Sequence, residues 1–416
     1  MININKKKNI IFIELILIII LVFITKWSAQ SVDYFDNTSN GGMMRSRPWG
    51  IEHNNVVYIT YQSLNNDPYV IQYDPARGKW SNKIFVGDNP FGYSDAHGSP
   101  IIFLDKNNYF HVFYGAHATP MHHAKSTNPL DITSWIDLGK ISEMKLPTYP
   151  TAIVLKNGTV IIFYRSHIIN YSHGAPLAYV SSTDDDAESW HPQRILFNFT
   201  PELGNGYRIY PSYYLYDNTG SDEIIYFDFV RYSGWEKRYD IYFAYFNASD
   251  GNVYCLNNNR WINLGANINL TAADRYCRIV DVDDKTGGDT SALAGFVRQN
   301  NTFHILYKYS DLVHSSYFNN TNWVIYNISS QTAALSIYIE NGLTKAVTGN
   351  ESGKYVFNFN GTGWELNKTF LPYHPIAWIR YNNFSETYKL ILHEEIPGND
   401  NDRFYMYDMI NDCYFN

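Results

Sequence analysis

Two short segments carry the densest set of groups able to move a proton near neutral pH. They read Tyr93-Ser94-Asp95-Ala96-His97-Gly98-Ser99-Pro100 and Tyr114-Gly115-Ala116-His117-Ala118-Thr119-Pro120. Imidazole titrates close to neutrality, and the small neighbours Gly98, Ser99, Gly115 and Ala116 leave both rings uncovered. Further along, Phe163-Tyr164-Arg165-Ser166-His167 offers a phenol, a guanidinium and a third imidazole. Gly206-Tyr207-Arg208-Ile209-Tyr210-Pro211 adds a second guanidinium and further phenols. A guanidinium can hold both oxygens of a carboxylate in its planar fork, while imidazole and phenol suit general acid–base work. These residue types together fit chemistry on an anionic substrate, provided the fold brings them to one opening.

The elements that must do so are strands. Pro100-Ile101-Ile102-Phe103-Leu104, a Lys-Asn-Asn turn and Phe110-His111-Val112-Phe113-Tyr114 have the spacing of an antiparallel hairpin. Thr151 to Leu155 with Val160 to Tyr164 repeats it around a Lys-Asn-Gly turn. Later equivalents pair Ile209–Tyr216 with Ile224–Phe229, Leu293–Val297 with Phe303–Tyr307, Leu335–Tyr338 with Tyr355–Phe359, and Ile376–Tyr381 with Tyr388–His393. Val56–Tyr61 with Tyr69–Tyr73 makes the first unit. Polar turns ending in Trp80, Trp135, Trp190, Trp261, Trp323 and Trp364 close the units at intervals that suit one propeller blade plus insertions.

The expected fold is therefore all-β: a seven-bladed β-propeller of four-stranded antiparallel blades, one domain over residues 34–416, with no amphipathic helix after Gln30. A β-sandwich or β-helix fits the long, unequal period less well. In a propeller the first strand of each blade lines the channel. His97 then precedes such a strand, His117 and Tyr164 end second strands of adjacent blades, and Arg208 opens the fourth unit's inner strand. Alternation sends Arg165 to the face opposite Tyr164.

Composition agrees with many short strands, since aromatic residues and charged residues each make up 17% of 416. A net charge of -8 and a pI near 5.9 exclude a general nucleic-acid binder, though an acidic polymer can still be held by a local Arg/His pocket. Lys6-Lys7-Lys8 followed by an apolar run from Ile10 to Thr25 reads as a signal peptide or membrane anchor over residues 1–30. Either places the remainder outside the cytoplasm, secreted or held at the membrane only by that segment. Recurrent Asn-x-Ser/Thr sequons such as those at Asn157, Asn198 and Asn360 agree with an exported glycoprotein. With only Cys255, Cys277 and Cys413 there is no disulfide scaffold and no CxxC metal signature, although Cys255 and Cys277 are available to pair.

The stretches Ser94 to Pro100, Phe113 to His117, Ser126-Thr127-Asn128-Pro129 with Ser134-Trp135, Thr148-Tyr149-Pro150 and Phe163-Tyr164-Arg165 resemble the BNR-repeat-containing family that includes the propeller-fold ulvan lyases. The resemblance is clearest from Gly87 to Tyr254. It implies β-elimination at a 4-linked uronic acid, which needs a carboxylate neutraliser, a base for the C5 proton and an acid for the departing O4. On that reading His97 and His117 serve proton transfer and carboxylate contact, and Tyr164 is the tyrosine acid/base. Arg208 is the first neutraliser and Arg165 the second. Asp95, Arg165, His167 and Tyr210 contact the substrate, an acidic polysaccharide or cell-surface glycan, on a monomeric chain. Tyr226-Phe227-Asp228-Phe229-Val230-Arg231 departs from the Tyr-Thr-Asp-His-type end of relatives, which leaves room for another sugar or for no catalysis. No cofactor is implied, and His117, His122 and His123 do not define the four-ligand set of a structural zinc, so any structural metal is unplaced.

Two other functions compete. One is a non-catalytic glycan-binding or adhesion propeller. The other is a sialidase-like glycoside hydrolase, for which Arg47, Arg208, Arg231 and Arg298 would form the arginine cluster. The turn from Ser182 to Trp190 resembles that group's Asp-box, with one residue too many and its Gly absent.

Overall fold

The computed structural model describes residues 50–63, 66–74, 76–77, 79–89, 99–115, 119–167, 174–203, 207–233, 237–257, 259–281, 292–299, 302–309, 312–329, 333–340, 342–350, 353–370, 375–379, 389–395, 402–408 and 413–415. Their strands form antiparallel sheets, each built from strands consecutive in sequence. In chain order the sheets span residues 50–85, 101–140, 147–197, 207–280, 292–329, 333–370 and 375–415. The first strand of each lies against the first strand of the next, the stacking of a propeller around its axis. The first sheet carries a fifth strand and the fourth a fifth and a sixth; the others have four.

In the second and third sheets the second strands are largely apolar and buried on both faces. Phe110–Tyr114 and Val160–Ser166 have no exposed residue, since each lies between two neighbouring sheets. The inter-sheet layer is aromatic: Phe163 stacks on Tyr214 at 4.8 Å, and Phe113 meets Trp190 edge-on at 5.7 Å. The Trp-ended turns have a matching polar lock. Ser126 Oγ accepts from Phe110 N at 3.0 Å and donates to Asn128 O at 2.9 Å. One sheet on, Ser182 Oγ accepts from Val160 N at 2.9 Å and donates to Asp184 O at 2.6 Å. One hydroxyl thus ties the start of the second strand to the turn after the third, satisfying backbone groups that the sheet leaves over.

Three expectations need correction. The first unit starts a strand earlier, at Gly50–His53, joined to Val56–Gln62 by Asn54-Asn55 with φ of 50° and 61°, a type I′ pair of left-handed residues. Ala333–Glu340 pairs with Leu343–Asn350, not with the strand containing Tyr355–Phe359, which is the third of its sheet. A helix exists after all, Leu270–Tyr276, capped by Asn269 Oδ1 accepting from Ala272 N, and a four-residue turn of helix spans Thr200–Leu203. Among the described residues no helix is long and apolar enough to cross a membrane; the apolar run Ile10 to Thr25 lies outside them.

Buried imidazoles sit between the sheets. His111 Nδ1 lies 2.7 Å from His123 Nε2, and His111 Nε2 lies 3.2 Å from Asp105 Oδ2. His304 is packed against Tyr317 and against Phe359 of the following sheet. Burial lowers all three pKa values, that of His304 to about 3. The folded chain keeps these rings neutral, whereas the unfolded chain protonates them around pH 6.5. Their stabilisation is therefore complete above that pH and lost progressively as pH falls from about 6.5 toward 3. Thermal melts are expected to show a flat Tm above neutrality and a steady fall below it, with His304→Phe reducing the slope. A Tm independent of pH over that window would contradict this account.

Candidate active site

The inner strand of the third sheet, Pro147–Val154, does not run straight. Thr148 pairs with Arg165 and Thr151 with Phe163, so one extra residue is accommodated in a β-bulge. Tyr149 takes φ of 56° there, a left-handed backbone that a bulky residue seldom adopts, and Pro150 contributes no N–H to a ladder already interrupted. The fourth sheet repeats the device. Along Tyr207–Asp217, Tyr210 and Pro211 keep the register, pairing with Val230 and Phe229, while Tyr213 pairs with Asp228, which places another bulge at Ser212, just past the Tyr210-Pro211 pair. Consecutive sheets thus carry a Tyr-Pro pair in or beside a bulge of the inner strand.

Arg165 meets both tyrosines. Its guanidinium carbon is 4.7 Å from the Tyr149 ring centroid and 4.5 Å from that of Tyr210. The two ring centroids are 5.7 Å apart and tilted by 43°, so the cation lies in the angle between two π-faces. Each such contact is worth up to about 2 kcal/mol once desolvated. Arg165 is only 2% exposed, and its Nε and Nη1 are buried without a hydrogen-bond acceptor among the described residues. Nor do those residues supply it with a carboxylate. The site is therefore a buried cation with two aromatic walls and N–H groups left to give.

Arg208 lies close by. Leu177 pairs with Arg165 and Ala175 bridges to Arg208, so the two arginines flank one three-residue stretch of chain. Arg208 and Tyr210, two apart on one strand, share a face. Arg208 is 9% exposed and His167 is fully buried at the end of the strand that carries Arg165, with His167 N donating to Leu146 O at 3.1 Å. Arg165, Arg208, His167 and Tyr210 thus belong to one rim, where first strands begin and second strands end.

Tyr164 does not join them. Alternation turns it into the core between the second and third sheets, fully buried, with its hydroxyl donating to Gln193 Oε1 at 2.6 Å. Desolvation drives its pKa far above the usual phenol value. The tyrosines on Arg165's side are Tyr149 and Tyr210, and sequence reasoning missed Tyr149 as a site residue. The available signal was the Tyr-Pro dipeptide recurring at Tyr149-Pro150 and Tyr210-Pro211. His97, His117 and Asp95 lie outside the described residues. Their described neighbours, Ser99-Pro100 before the strand Ile101–Leu104 and Gly115 after Phe110–Tyr114, stand at the beginning of a first strand and the end of a second.

The arginine cluster expected of a hydrolase does not assemble. Arg298 pairs with Asp217, at the far end of the inner strand that Arg208 helps to open, roughly 30 Å away along an extended chain. Arg231 is held by Asp240 at 2.8 Å, and Arg47 is outside the described residues. The turn from Ser182 to Trp190 has a structural role, the Ser182 lock described above. His122 and His123 join no metal-binding group: among the described residues no cluster of His, Cys, Asp and Glu has ligand geometry.

The model of the BNR repeat-containing family matches residues 56–331. A protein named Ulvan Lyase-PL25 from Pseudoalteromonas sp. (strain PLSV) is 27% identical over 263 residues, covering 54% of this chain and 52% of that protein. An ulvan lyase from Alteromonas sp. (strain LOR) is 25% identical over 311 residues, 66% of this chain and 59% of the other. The matched region spans little more than half the length of these curated relatives. Among solved structures, a PL25 ulvan lyase bound to -[GlcA(1-4)Rha3S]- superposes with a TM-score of 0.73 at 18% identity, covering 90% of this chain and 95% of that one. The polysaccharide lyase Uly1 gives 0.60 at 12% identity. These superpositions establish the shared fold.

Arg165→Met separates a functional arginine from a structural one. Replacing a buried charge by an apolar side chain of similar length is neutral or stabilising when the charge serves only a ligand. The expected outcome is an unchanged or raised Tm together with a loss of about 100-fold or more in affinity for a carboxylate-bearing ligand. A large fall in Tm would make Arg165 a structural residue.

Proposed function

This chain belongs to the BNR repeat-containing family, and on that premise we propose that it cleaves a uronic-acid-containing polysaccharide by β-elimination at the rim between its third and fourth sheets. The observation that carries the reading is the buried Arg165 guanidinium, lodged against Tyr149 and Tyr210 with Nε and Nη1 left without an acceptor among the described residues. A buried cation of this kind is costly unless a partner compensates it, and a uronate carboxylate supplies both the opposite charge and two acceptor oxygens in the fork geometry. The matches to ulvan lyases support the substrate class.

Neutralising the carboxylate is the step that makes the chemistry accessible. With its charge met by Arg165 and, beside it, Arg208, the C5 proton becomes acidic enough for a base to remove. The electron pair left on C5 forms the C4–C5 double bond, the C4–O4 bond breaks, and a proton passes to O4. His97 and His117 are assigned to proton transfer and carboxylate contact, since their segments adjoin the start of a first strand and the end of a second. The phenol role passes from Tyr164 to Tyr210, which is half-buried on Arg165's side, while Tyr149 fixes the guanidinium plane. Asp95 completes the substrate contacts, while His167, fully buried at the end of the Arg165 strand, lies behind them and not against the sugar.

The same reading takes the seven sheets as seven blades around one channel and residues 1–30 as signal or anchor. It places the domain outside the cytoplasm as a monomer acting on polysaccharide and not on nucleic acid. The Cys255–Cys277 disulfide supports an oxidising compartment.

Mixing purified protein with a panel of uronate polymers tests the reaction class. An elimination yields the ultraviolet absorbance of an unsaturated uronate; hydrolysis yields new reducing ends without it, and a lectin-like propeller yields neither. Wild type is expected to produce the chromophore, Tyr164→Phe to stay close to wild type, and Tyr210→Phe or His117→Ala to lose about 100-fold or more. Full activity in both Tyr210→Phe and His117→Ala would reject the assignment.

A further inference from the structure

The fourth sheet carries a second polar cluster, behind the rim residues. Asp240, 1% exposed, accepts from Arg231 Nη2 at 2.8 Å and from Arg278 Nη1 at 3.4 Å. Tyr242 sits two residues on, its hydroxyl 3.3 Å from Asp240 Oδ2 and 2.6 Å from Asp274 Oδ1. Asp274 belongs to the helix Leu270–Tyr276, and the residue capping that helix is Cys277, bonded to Cys255 on the strand Asn252–Asn257. A disulfide therefore clamps the helix that supplies Asp274, and the strand Arg278–Val280 that leaves it supplies Arg278.

The cluster leads back to the rim by two routes. Arg231 stands opposite Ile209 in the ladder, between the partners of Arg208 and Tyr210. The Tyr242 ring stacks on Phe229 at 4.8 Å and lies 6.1 Å from Phe199, which in turn is 5.5 Å from Tyr207. Tyr207 O and Ile209 N are the two groups that hold Ala175, at 3.1 Å each, and so fix Arg208 beside the chain that reaches Arg165.

We propose that the Cys255–Cys277 disulfide and the Asp240–Tyr242–Asp274 cluster are positioning elements that set the start of the fourth sheet's inner strand, and through it Arg208 and Tyr210, for a polyanionic sugar. Asp240 has a second effect. Paired with Arg231, and together with Asp274 and Asp281 around Arg278, it keeps two further cations from competing with Arg165 and Arg208 for a carboxylate. None of these groups touches the reacting atoms, and the inference rests on the rim being the substrate site.

The decisive variants are Tyr242→Phe, which keeps the aromatic packing and the disulfide but cuts two hydrogen bonds, and the pair Cys255→Ala with Cys277→Ala. Two readouts are needed, each on protein shown to be folded by circular dichroism. Hydrogen exchange at the amides of residues 207–210 reports the strand itself and is independent of any substrate. KM and kcat on a uronate polymer report the site. Both variants are expected to exchange faster at 207–210 than wild type and to raise KM by about 10- to 100-fold, with kcat much less affected. Rescue is expected when Asp274→Asn is tested, since an amide oxygen still accepts from Tyr242. Unchanged exchange at 207–210 in folded Tyr242→Phe overturns the positioning role. If wild type cleaves no uronate polymer, the lyase reading fails while the exchange result still decides this one; should the cysteine variant not fold, Tyr242→Phe decides it alone.

Discussion

A guanidinium in the angle between two tyrosine rings is the interaction on which the site depends. Burying Arg165 to 2% exposure removes water that would otherwise solvate the charge, and the π-faces of Tyr149 and Tyr210 return only part of that loss. On the proposed reading, the N–H groups that remain are the donors offered to an anion. Geometry supplies the rest. Two inner strands, each with a Tyr-Pro pair in or beside a bulge, turn their rings toward one cation that reaches them from the end of a second strand.

The propeller-like stacking makes this arrangement rigid. The third and fourth sheets share an apolar layer in which Phe163, Tyr214, Phe227 and Phe246 interdigitate, so the strand bearing Arg165 cannot slide relative to the strand bearing Tyr210 without breaking that packing. Charges around the rim are sorted as well. Arg231 is committed to Asp240, Arg278 to Asp240, Asp274 and Asp281, and Arg298 to Asp217 at the other end of the inner strand. If the rim binds a uronate as proposed, pairing the surplus cations favours that carboxylate over bulk anions.

Much of the architecture was legible because its periodic signals are strong. Apolar runs around Asn/Gly turns located Ile101–Leu104 with Phe110–Tyr114 and the third sheet's inner hairpin, and the tryptophans do mark fourth strands at Trp80, Trp135, Trp323 and Trp364 and a fifth at Trp261. Cys255 and Cys277 do pair. What escaped had weak local signatures. Gly50–His53 is four residues long and mostly half-exposed, and Leu343–Asn350 mixes Thr, Lys, Gly and Asn with few apolar residues, so neither shows a clear alternation. The helix Leu270–Tyr276 is too short for its period to register. In the site, strand parity correctly sets Arg165 apart from Tyr164, and the recurring Tyr-Pro dipeptide marks Tyr149 and Tyr210, but the spacing alone does not show that both rings reach the arginine, since Tyr149 gets there through a bulge.

The most direct test is to observe the Arg165 side chain by nitrogen-resolved NMR, with the Nε–H signal assigned by its loss in Arg165→Met, while a uronate oligosaccharide is added. A carboxylate docking on the fork should shift and sharpen that signal and slow its exchange with water, and the neutral, carboxyl-reduced oligosaccharide should do none of this. An Arg165 Nε–H signal indifferent to the uronate at concentrations that saturate the protein would contradict the account.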